Sequence, residues 1–280
     1  MSPKWGKRLL LAVALLIFGF TLFHASWLAP DPTGRPKLVA SGPIDLPRDA
    51  GGCAIDAAAG YGAASVSQDT QMLQSAAGSG ADGIVINSEM VDGTPVVPRI
   101  FGKDCKAVTP RTPIAEAMTA LSKPDQFIHV NSASDAAAIQ AAVSAQTAPA
   151  EPDGPKRIFF AAKDADIQRF DKAAAFSVAK ARQCAGDYRT SGMAGIVPSS
   201  CVGGTMILTL DDLGMTLWGW PDRFMARMAA HNVRLIIAAD EKDGKLTGLT
   251  QLTQYNDIAN SYNGYIWVDN IAELGPALKR

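Results

Sequence analysis

The chain has 280 residues and a formal net charge of −1, with 26 basic side chains against 27 acidic ones. This balance provides no cationic excess for a phosphate backbone, so we expect no nucleic-acid partner. Length alone fits either one large α/β domain or two small ones. The 25 glycines and the aromatic content of only 7% suit an α/β domain with many close helix–sheet contacts.

The N-terminus has the pattern of an uncleaved membrane anchor. Lys4, Lys7 and Arg8 form a basic flank (1–8) before an apolar run (9–29) that begins at Leu9 and ends at Ala29. A helix of that length spans roughly the ~30 Å hydrocarbon layer. Aromatic residues at position −3 of both candidate cleavage sites disfavour a signal peptide. The positive-inside rule keeps the basic flank in the cytoplasm, so the linker 30–36 and the domain 37–280 are predicted to be exported.

Predicted strands and helices alternate along the exported part. Gly80 is a predicted helix C-cap, and Asp92-Gly93 is a predicted turn. The alternation implies a parallel sheet, and about eight strands in ~250 residues fit a closed (β/α)8 barrel. The predicted strands are 37–40, 83–87, 94–98, 127–130, 157–161, 174–179, 194–197, 206–210, 233–238 and 265–268, and the predicted helices are 71–79, 113–121, 135–146, 164–169, 221–231, 249–259 and 271–278.

The chain has four cysteines, which suggest disulfides in an exported domain. Of the three possible pairings we favour Cys53–Cys105 with Cys184–Cys201, because each would join loops on one face of the barrel. Buried thiols are the alternative.

Three stretches carry a family resemblance. They are GADGIVINSEMVDGTPVVPRI at 80–100, the segment 184–228 with its Leu-Trp-Gly-Trp-Pro string, and YNGYIWVDNIAELGPALK at 262–279. Together they resemble the glycerophosphodiester phosphodiesterase family, in particular a proteobacterial branch. The resemblance implies a TIM-type (β/α)8 barrel and, with the N-terminal anchor, a single-pass protein of the bacterial inner membrane whose C-terminal domain lies in the periplasm.

Apart from Gly42, which is retained, the motif positions of that family are occupied by other residues here. The family places His-Arg-Gly after the first strand, Glu-x-Asp on the second, His-Asp beyond it and Glu-x-Lys on a later strand. Because charged ligands and proton-transfer groups are replaced at all four places, the resemblance implies a barrel without catalytic residues, metal or cofactor. The corresponding positions are Ala40, Ser41 and Gly42, then Val85 and Asn87, then Arg99 and Ile100, and then His129 and Asn131.

The remaining polar residues define a candidate ligand site. Period-two alternation places His129 and Asn131 on one strand face, although neighbouring backbone groups would satisfy them equally well. Arg99 is either a phosphate ligand or a solvated loop residue, with a slight preference for the latter. Asp211, followed by Asp212, is the best remaining carboxylate pair at a strand end. The predicted ligand-binding set is therefore Asn87, Arg99, His129, Asn131 and Asp211.

Two functions of different classes follow. The first is a membrane-anchored, inactive barrel that binds a small phosphodiester-like ligand or a periplasmic protein. The second is an active phosphoric diester hydrolase of lipid or glycerol metabolism, which would use Ca²⁺ or Mg²⁺ held by relocated ligands. Asp45, Asp49 and Asp56 are the loop carboxylates available for such a site, but loops of this composition are usually solvated.

Overall fold

Eight parallel strands form the central sheet of this computed structural model. The structure describes residues 3–30, 32–41, 68–97, 112–121, 123–145, 155–213 and 217–278. The strands follow the order β7-β6-β5-β2-β1-β12-β9-β8 and curve into a near-complete barrel. They are β1 (Lys37–Ala40), β2 (Gly83–Ile86), β5 (Asp125–His129), β6 (Arg157–Ala161), β7 (Ala175–Ser177), β8 (Thr205–Thr209), β9 (Arg234–Ala238) and β12 (Tyr265–Val268).

Helices and two small hairpins connect these strands. The helices are α1 (Pro3–His24), α2 (Gln68–Gly78), α3 (Ile114–Ala120), α4 (Ala133–Ser144), α5 (Val178–Ser191), α6 (Asp222–Ala230), α7 (Leu252–Tyr255) and α8 (Ile271–Leu278). The hairpins pair β3 (Glu89–Val91) with β4 (Thr94–Val96), and β10 (Asp240–Lys242) with β11 (Lys245–Thr247). A parallel barrel with this alternation was predicted and is confirmed.

Period-two alternation divides the core into two layers. One set of strand residues, including Val85, Phe127 and Trp267, fills the lumen of the barrel. Their chain neighbours, such as Ile84 and Ile266, pack outward against the helices. Successive side chains of a strand point to opposite faces, so both faces of this sheet must be apolar. The strands accordingly read as continuous apolar runs.

The barrel wall is completed by a helix between β7 and β8. Within the described part of the chain these two strands are the ends of the sheet and do not pair with each other. The first turns of α5 fill the gap, because Val178 and Ala181 belong to the lumen cluster. Arg182 donates from Nη1 to the carbonyl of Ile207 in β8, at 3.1 Å, and so satisfies an edge-strand acceptor.

Several predicted elements differ from the structure. The predicted strand at 194–197 is wrong, since a 3₁₀ turn (Gly192–Ala194) occupies its start. Helix α5 was missed because β7 ends at Ser177, whose hydroxyl accepts from the Lys180 N–H at 3.2 Å and begins the helix. The predicted turn at Asp92-Gly93 is present, with positive φ at both residues, but it joins β4 to the unpredicted β3.

The Cys184–Cys201 disulfide is confirmed, with Cα atoms 5.0 Å apart. The reason given for it was wrong: Cys184 lies inside α5, and Cys201 lies in the turn before β8, so the bond joins a helix to a strand entry. Cys53 and Cys105 lie outside the described residues.

The N-terminal run does not form one continuous helix over 9–29. Helix α1 ends at His24 and is followed by a 3₁₀ turn at Ser26–Leu28. Among the residues described here, no helix has both the length and the apolar character needed to cross a membrane. The predicted transmembrane helix is therefore not supported.

Candidate functional site

The carboxyl ends of the parallel strands meet at one mouth of the barrel, which is where barrel enzymes place their chemistry. Ser41 follows β1, Asn87 follows β2, Asn131 follows β5 and Asp269 follows β12, while His129 is the last residue of β5. Each of these residues lies two positions after a residue that points into the lumen, except Asn131, which lies four positions after one. Because alternate residues of a strand point to the same face, all five continue the inward-facing side of their strands.

The ends of β2 and β5 are tied together by Ser88. Its hydroxyl donates to the carbonyl of His129 at 2.6 Å, and the Asn131 side-chain amide donates to the Ser88 carbonyl. Asn87 is exposed beside them. Two of the predicted ligand-binding residues, His129 and Asn131, are thus brought together, and the amide of Asn131 already has a backbone partner.

His129 is held as a neutral side chain. Its ring packs against that of Phe160, with the two centroids 4.9 Å apart. Burial, followed by the positive charge of Lys245, lowers the pKa of His129 below its usual value. At neutral pH the imidazole therefore offers one hydrogen-bond donor and one acceptor.

Asp269 is a mouth carboxylate that sequence analysis did not select. The Ser41 hydroxyl lies within hydrogen-bonding reach of the Asp269 carboxylate and 3.3 Å from the Val268 carbonyl. The available signal was alternation from Trp267 in β12, a lumen residue, to the next inward position.

The two carboxylates predicted as a pair after β8 lie in different environments. Asp212 is buried and accepts from the Thr209 N–H at 2.7 Å and from the Thr209 hydroxyl at 3.0 Å. Burial alone would raise the pKa of Asp212, but hydrogen bonds from Arg182 and Thr209 outweigh it and lower the pKa. Arg189 also contacts this carboxylate. Asp211 is exposed, so of the two carboxylates only Asp211 faces solvent. The Thr-x-x-Asp spacing of a capping box signals the inward role of Asp212.

The described side chains do not assemble a metal centre. No group of three or more His, Cys, Asp or Glu within the described ranges could hold an ion. Below the mouth, the lumen is filled by apolar and aromatic side chains such as Phe127, Phe160 and Trp267. Arg99 and the loop carboxylates Asp45, Asp49 and Asp56 lie outside the described residues.

The opposite end of the barrel carries a polar cluster with a structural role. Asp125 accepts from the Tyr265 hydroxyl at 2.7 Å, from the Lys156 N–H at 2.9 Å and from Lys37 Nζ at 3.3 Å. Burial and the hydrogen bond to Asp125 raise the pKa of Tyr265. These residues begin their strands, at the end of the barrel associated with stability.

Comparison with solved structures finds two similar chains. The first is the glycerophosphoryl diester phosphodiesterase domain of an uncharacterized protein from Mycobacterium tuberculosis, with a TM-score of 0.55 and 11% identity, covering 87% of this chain and 99% of that one. The fold is that of a glycerophosphoryl diester phosphodiesterase domain. A glycerophosphodiester phosphodiesterase from Agrobacterium tumefaciens is also similar, with a TM-score of 0.40 and 14% identity over 87% of this chain and 99% of that one. No protein-family model matches the sequence, and no curated protein matches it.

On this phosphodiesterase-like fold, two of the motif positions are neighbours. Val85 of β2 pairs with Phe127 of β5 in the parallel register, so the inward rows that continue to Asn87 and His129 run side by side. The fold alone does not establish the reaction, because one barrel supports many functions. The chemistry of the mouth residues must decide it.

Proposed function

We propose that this protein is a phosphodiesterase-like barrel that does not hydrolyse phosphodiesters and instead binds a ligand at its mouth. The observation that carries the proposal is the set of groups in the described part of the mouth: Ser41, Asn87, His129 and Asn131 are neutral, and Asp269 is a carboxylate within reach of Ser41. Metal-dependent hydrolysis needs several carboxylate oxygens around a divalent cation and a group that titrates near neutral pH.

The proposed ligand is a small phosphodiester-like molecule. The side-chain amide of Asn87, the imidazole of His129 and the nearby charge of Lys245 are suited to phosphate oxygens. The aromatic side chains Phe160 and Trp267 beneath them, with ring centroids 5.5 Å apart, offer an apolar floor for the remainder of the ligand. A periplasmic protein that inserts a side chain at the same mouth is the alternative partner.

We also propose that α1 attaches the protein to the bacterial inner membrane, with the barrel in the periplasm. Apolar side chains of α1 are widely exposed, for example Leu10 at 71% and Leu16 at 73%. Exposed apolar surface of this extent is unfavourable in water and favourable in lipid.

An assay of hydrolysis with the full-length protein tests this proposal. We expect no turnover of glycerophosphocholine or glycerophosphoethanolamine above buffer with Ca²⁺, Mg²⁺ or Mn²⁺, because the described residues of the mouth form no cluster of carboxylates. Binding of glycerophosphocholine is measured by calorimetry in parallel. We expect Asn87→Ala to weaken it about tenfold, as for loss of one hydrogen bond to a charged group, whereas the exposed Asn256→Ala of the turn after α7 leaves it unchanged.

Metal-dependent turnover that disappears with EDTA would refute the non-hydrolytic assignment and establish the alternative, an active phosphoric diester hydrolase. Asp269→Asn would then show whether the mouth carries that activity. Absence of both turnover and binding would overturn the phosphodiester ligand and leave the protein partner.

A further inference from the structure

The last turn of α1 is built into the surface of the barrel. The Phe23 carbonyl, near the C-terminus of the helix, accepts from Arg223 Nε at 3.0 Å and from Arg227 Nη2 at 3.2 Å. His24 Nε2 lies 2.9 Å from the Met193 carbonyl and donates to it. Cations that bond to the last carbonyls of a helix compensate both its unpaired acceptors and its dipole.

Ring contacts complete this docked end. The Phe23 ring lies 4.9 Å from the Arg227 guanidinium carbon, and the Phe20 and His24 rings lie 5.9 and 5.2 Å from that of Trp218. A Cβ on Gly195 would lie only 2.3 Å from Phe23 Cζ, so glycine is required where the ring approaches the backbone. These contacts therefore fix the direction in which α1 leaves the surface of the barrel.

Beyond this docked end, α1 is exposed on every side. Its apolar side chains between Leu9 and Phe18 are 47–73% exposed, with no covered stripe among those described. A helix that binds a protein groove buries one face, whereas the described apolar segment of α1 has no covered face, as expected of a segment in contact with lipid. Lipid is therefore the occupant that fits this surface.

The same surface continues onto the barrel. Phe23, Met193 and Ile196, which we call the exit patch, are 44%, 53% and 59% exposed around the point where α1 leaves. Arg189 is exposed on the same side, and Arg223 and Arg227 are partly exposed. Of the nearby acids, Asp222 accepts a hydrogen bond from the Ser26 hydroxyl at 3.2 Å and Asp187 accepts one from the Ser200 hydroxyl at 2.8 Å. Apolar side chains among arginines are suited to the boundary of an anionic bilayer.

We infer that the exit patch is a second membrane-contact site. It holds the barrel on the lipid surface with the α5–α6 side of the barrel facing the bilayer. This inference rests on the proposed membrane attachment through α1. The attachment alone would let the barrel stand off the bilayer or tumble beside it. The docked end and the exit patch together give the barrel a fixed orientation.

Photo-crosslinking of the full-length protein tests this orientation. Benzoylphenylalanine is introduced in place of Ile196 and, as a matched control, in place of Leu252, another exposed apolar residue at 43%, on α7. Both proteins are bound to vesicles of phosphatidylethanolamine and phosphatidylglycerol, recovered by flotation and irradiated. Mass spectrometry then measures adducts to lipid.

We expect a lipid adduct at position 196 in roughly tenfold excess over position 252, since only the first would reach the acyl boundary. Equal yields from protein that floats with the vesicles would overturn the exit patch while leaving the membrane attachment intact. Protein that fails to float would overturn both the attachment and the patch.

Discussion

The chemical role that the structure supports for His129 differs from the one that its position in the sequence suggests. In the sequence it is one of three histidines and occupies the position of a metal-ligating acid in the resemblance. In the structure its ring packs on Phe160, and its carbonyl accepts from Ser88. The side chain is then a neutral donor and acceptor at the mouth, which suits ligand binding better than proton transfer.

The lowered pKa of His129 predicts an acid-dependent loss of stability. The folded state favours the neutral ring, so its contribution is complete above the unfolded value of 6.5 and is lost as pH falls through 6.5 toward the folded pKa. We expect the free energy of unfolding of the wild type to fall more steeply than that of His129→Gln in this window, by at most about 1.4 kcal/mol per pH unit.

Urea denaturation at a series of pH values, from neutral to about one unit below the usual histidine pKa, measures this difference. His231→Gln is the control, because His231 is exposed at the end of α6. Parallel curves for the wild type and His129→Gln would contradict the assignment of His129 as a half-buried, neutral histidine.

At the scale of elements, α5 and α1 have positions that their own sequences do not specify. Helix α5 fills the gap between β7 and β8, is tied to the entry of β8 by the Cys184–Cys201 disulfide, and holds Asp212 through Arg182 and Arg189. Helix α1 uses its last turn to pack against α6. Both helices therefore stabilise the barrel through long-range contacts rather than through local propensity.

The fit of Phe23 over Gly195 predicts the effect of a single methyl group. Gly195→Ala is expected to displace the ring and release α1, in addition to placing alanine at φ +72°. Gly203→Ala introduces the same kind of strain at φ +64° with nothing within 4 Å of the new Cβ. The control should lose about 1 kcal/mol of stability, and Gly195→Ala at least about 1 kcal/mol more.

Thermal unfolding and limited proteolysis measure these two variants. Trypsin cleavage at Arg223 and Arg227 should accelerate only in Gly195→Ala, because those side chains lose the Phe23 carbonyl as a partner. Equal stability and cleavage in both variants would show that α1 is not docked as described.

The whole molecule is a barrel whose wall is weaker on one side. Strand β1 pairs with β2 and β12 on its two edges, whereas β7 pairs only with β6 within the described chain. Local opening is easiest where few backbone pairs hold an element. The site at the mouth is flanked by β1, β2, β5 and β12, on the well-paired side.

Hydrogen exchange should reflect this asymmetry. We expect amides of β7 to exchange by local opening, faster than those of β1 and β12 by roughly 100-fold or more, as for a difference of about 3 kcal/mol. Peptide-level exchange followed by mass spectrometry measures it, with the solvent-exposed hairpin of β10 and β11 as the fast reference. Uniform protection across the sheet would indicate that α5 closes the wall as firmly as a paired strand.

Elements set by interactions between residues close together in the chain could be predicted from the sequence, whereas those set by contacts distant in sequence could not. Strands 157–161 and 265–268 and helix 271–278 were predicted with their observed bounds, since apolar runs and alternation are local. The placement of His129 and Asn131 on one strand face was predicted from the same alternation. Helix α5 and the 3₁₀ turn near Ala194 were not predicted, and the helix predicted at 249–259 is only the single turn α7, because these boundaries depend on contacts distant in sequence.

The sequence by itself determined the alternation of strands and helices that gives the parallel sheet, and it favoured the Cys184–Cys201 pairing without fixing it. Only the tertiary structure separated Asp212 from Asp211, joined Ser41 to Asp269 and packed the end of α1 against Arg223 and Arg227. The physical reason is that apolar periodicity depends only on the order of neighbouring residues in the chain. The partner of a buried carboxylate or a helix end, in contrast, is set by which elements the folded barrel brings together.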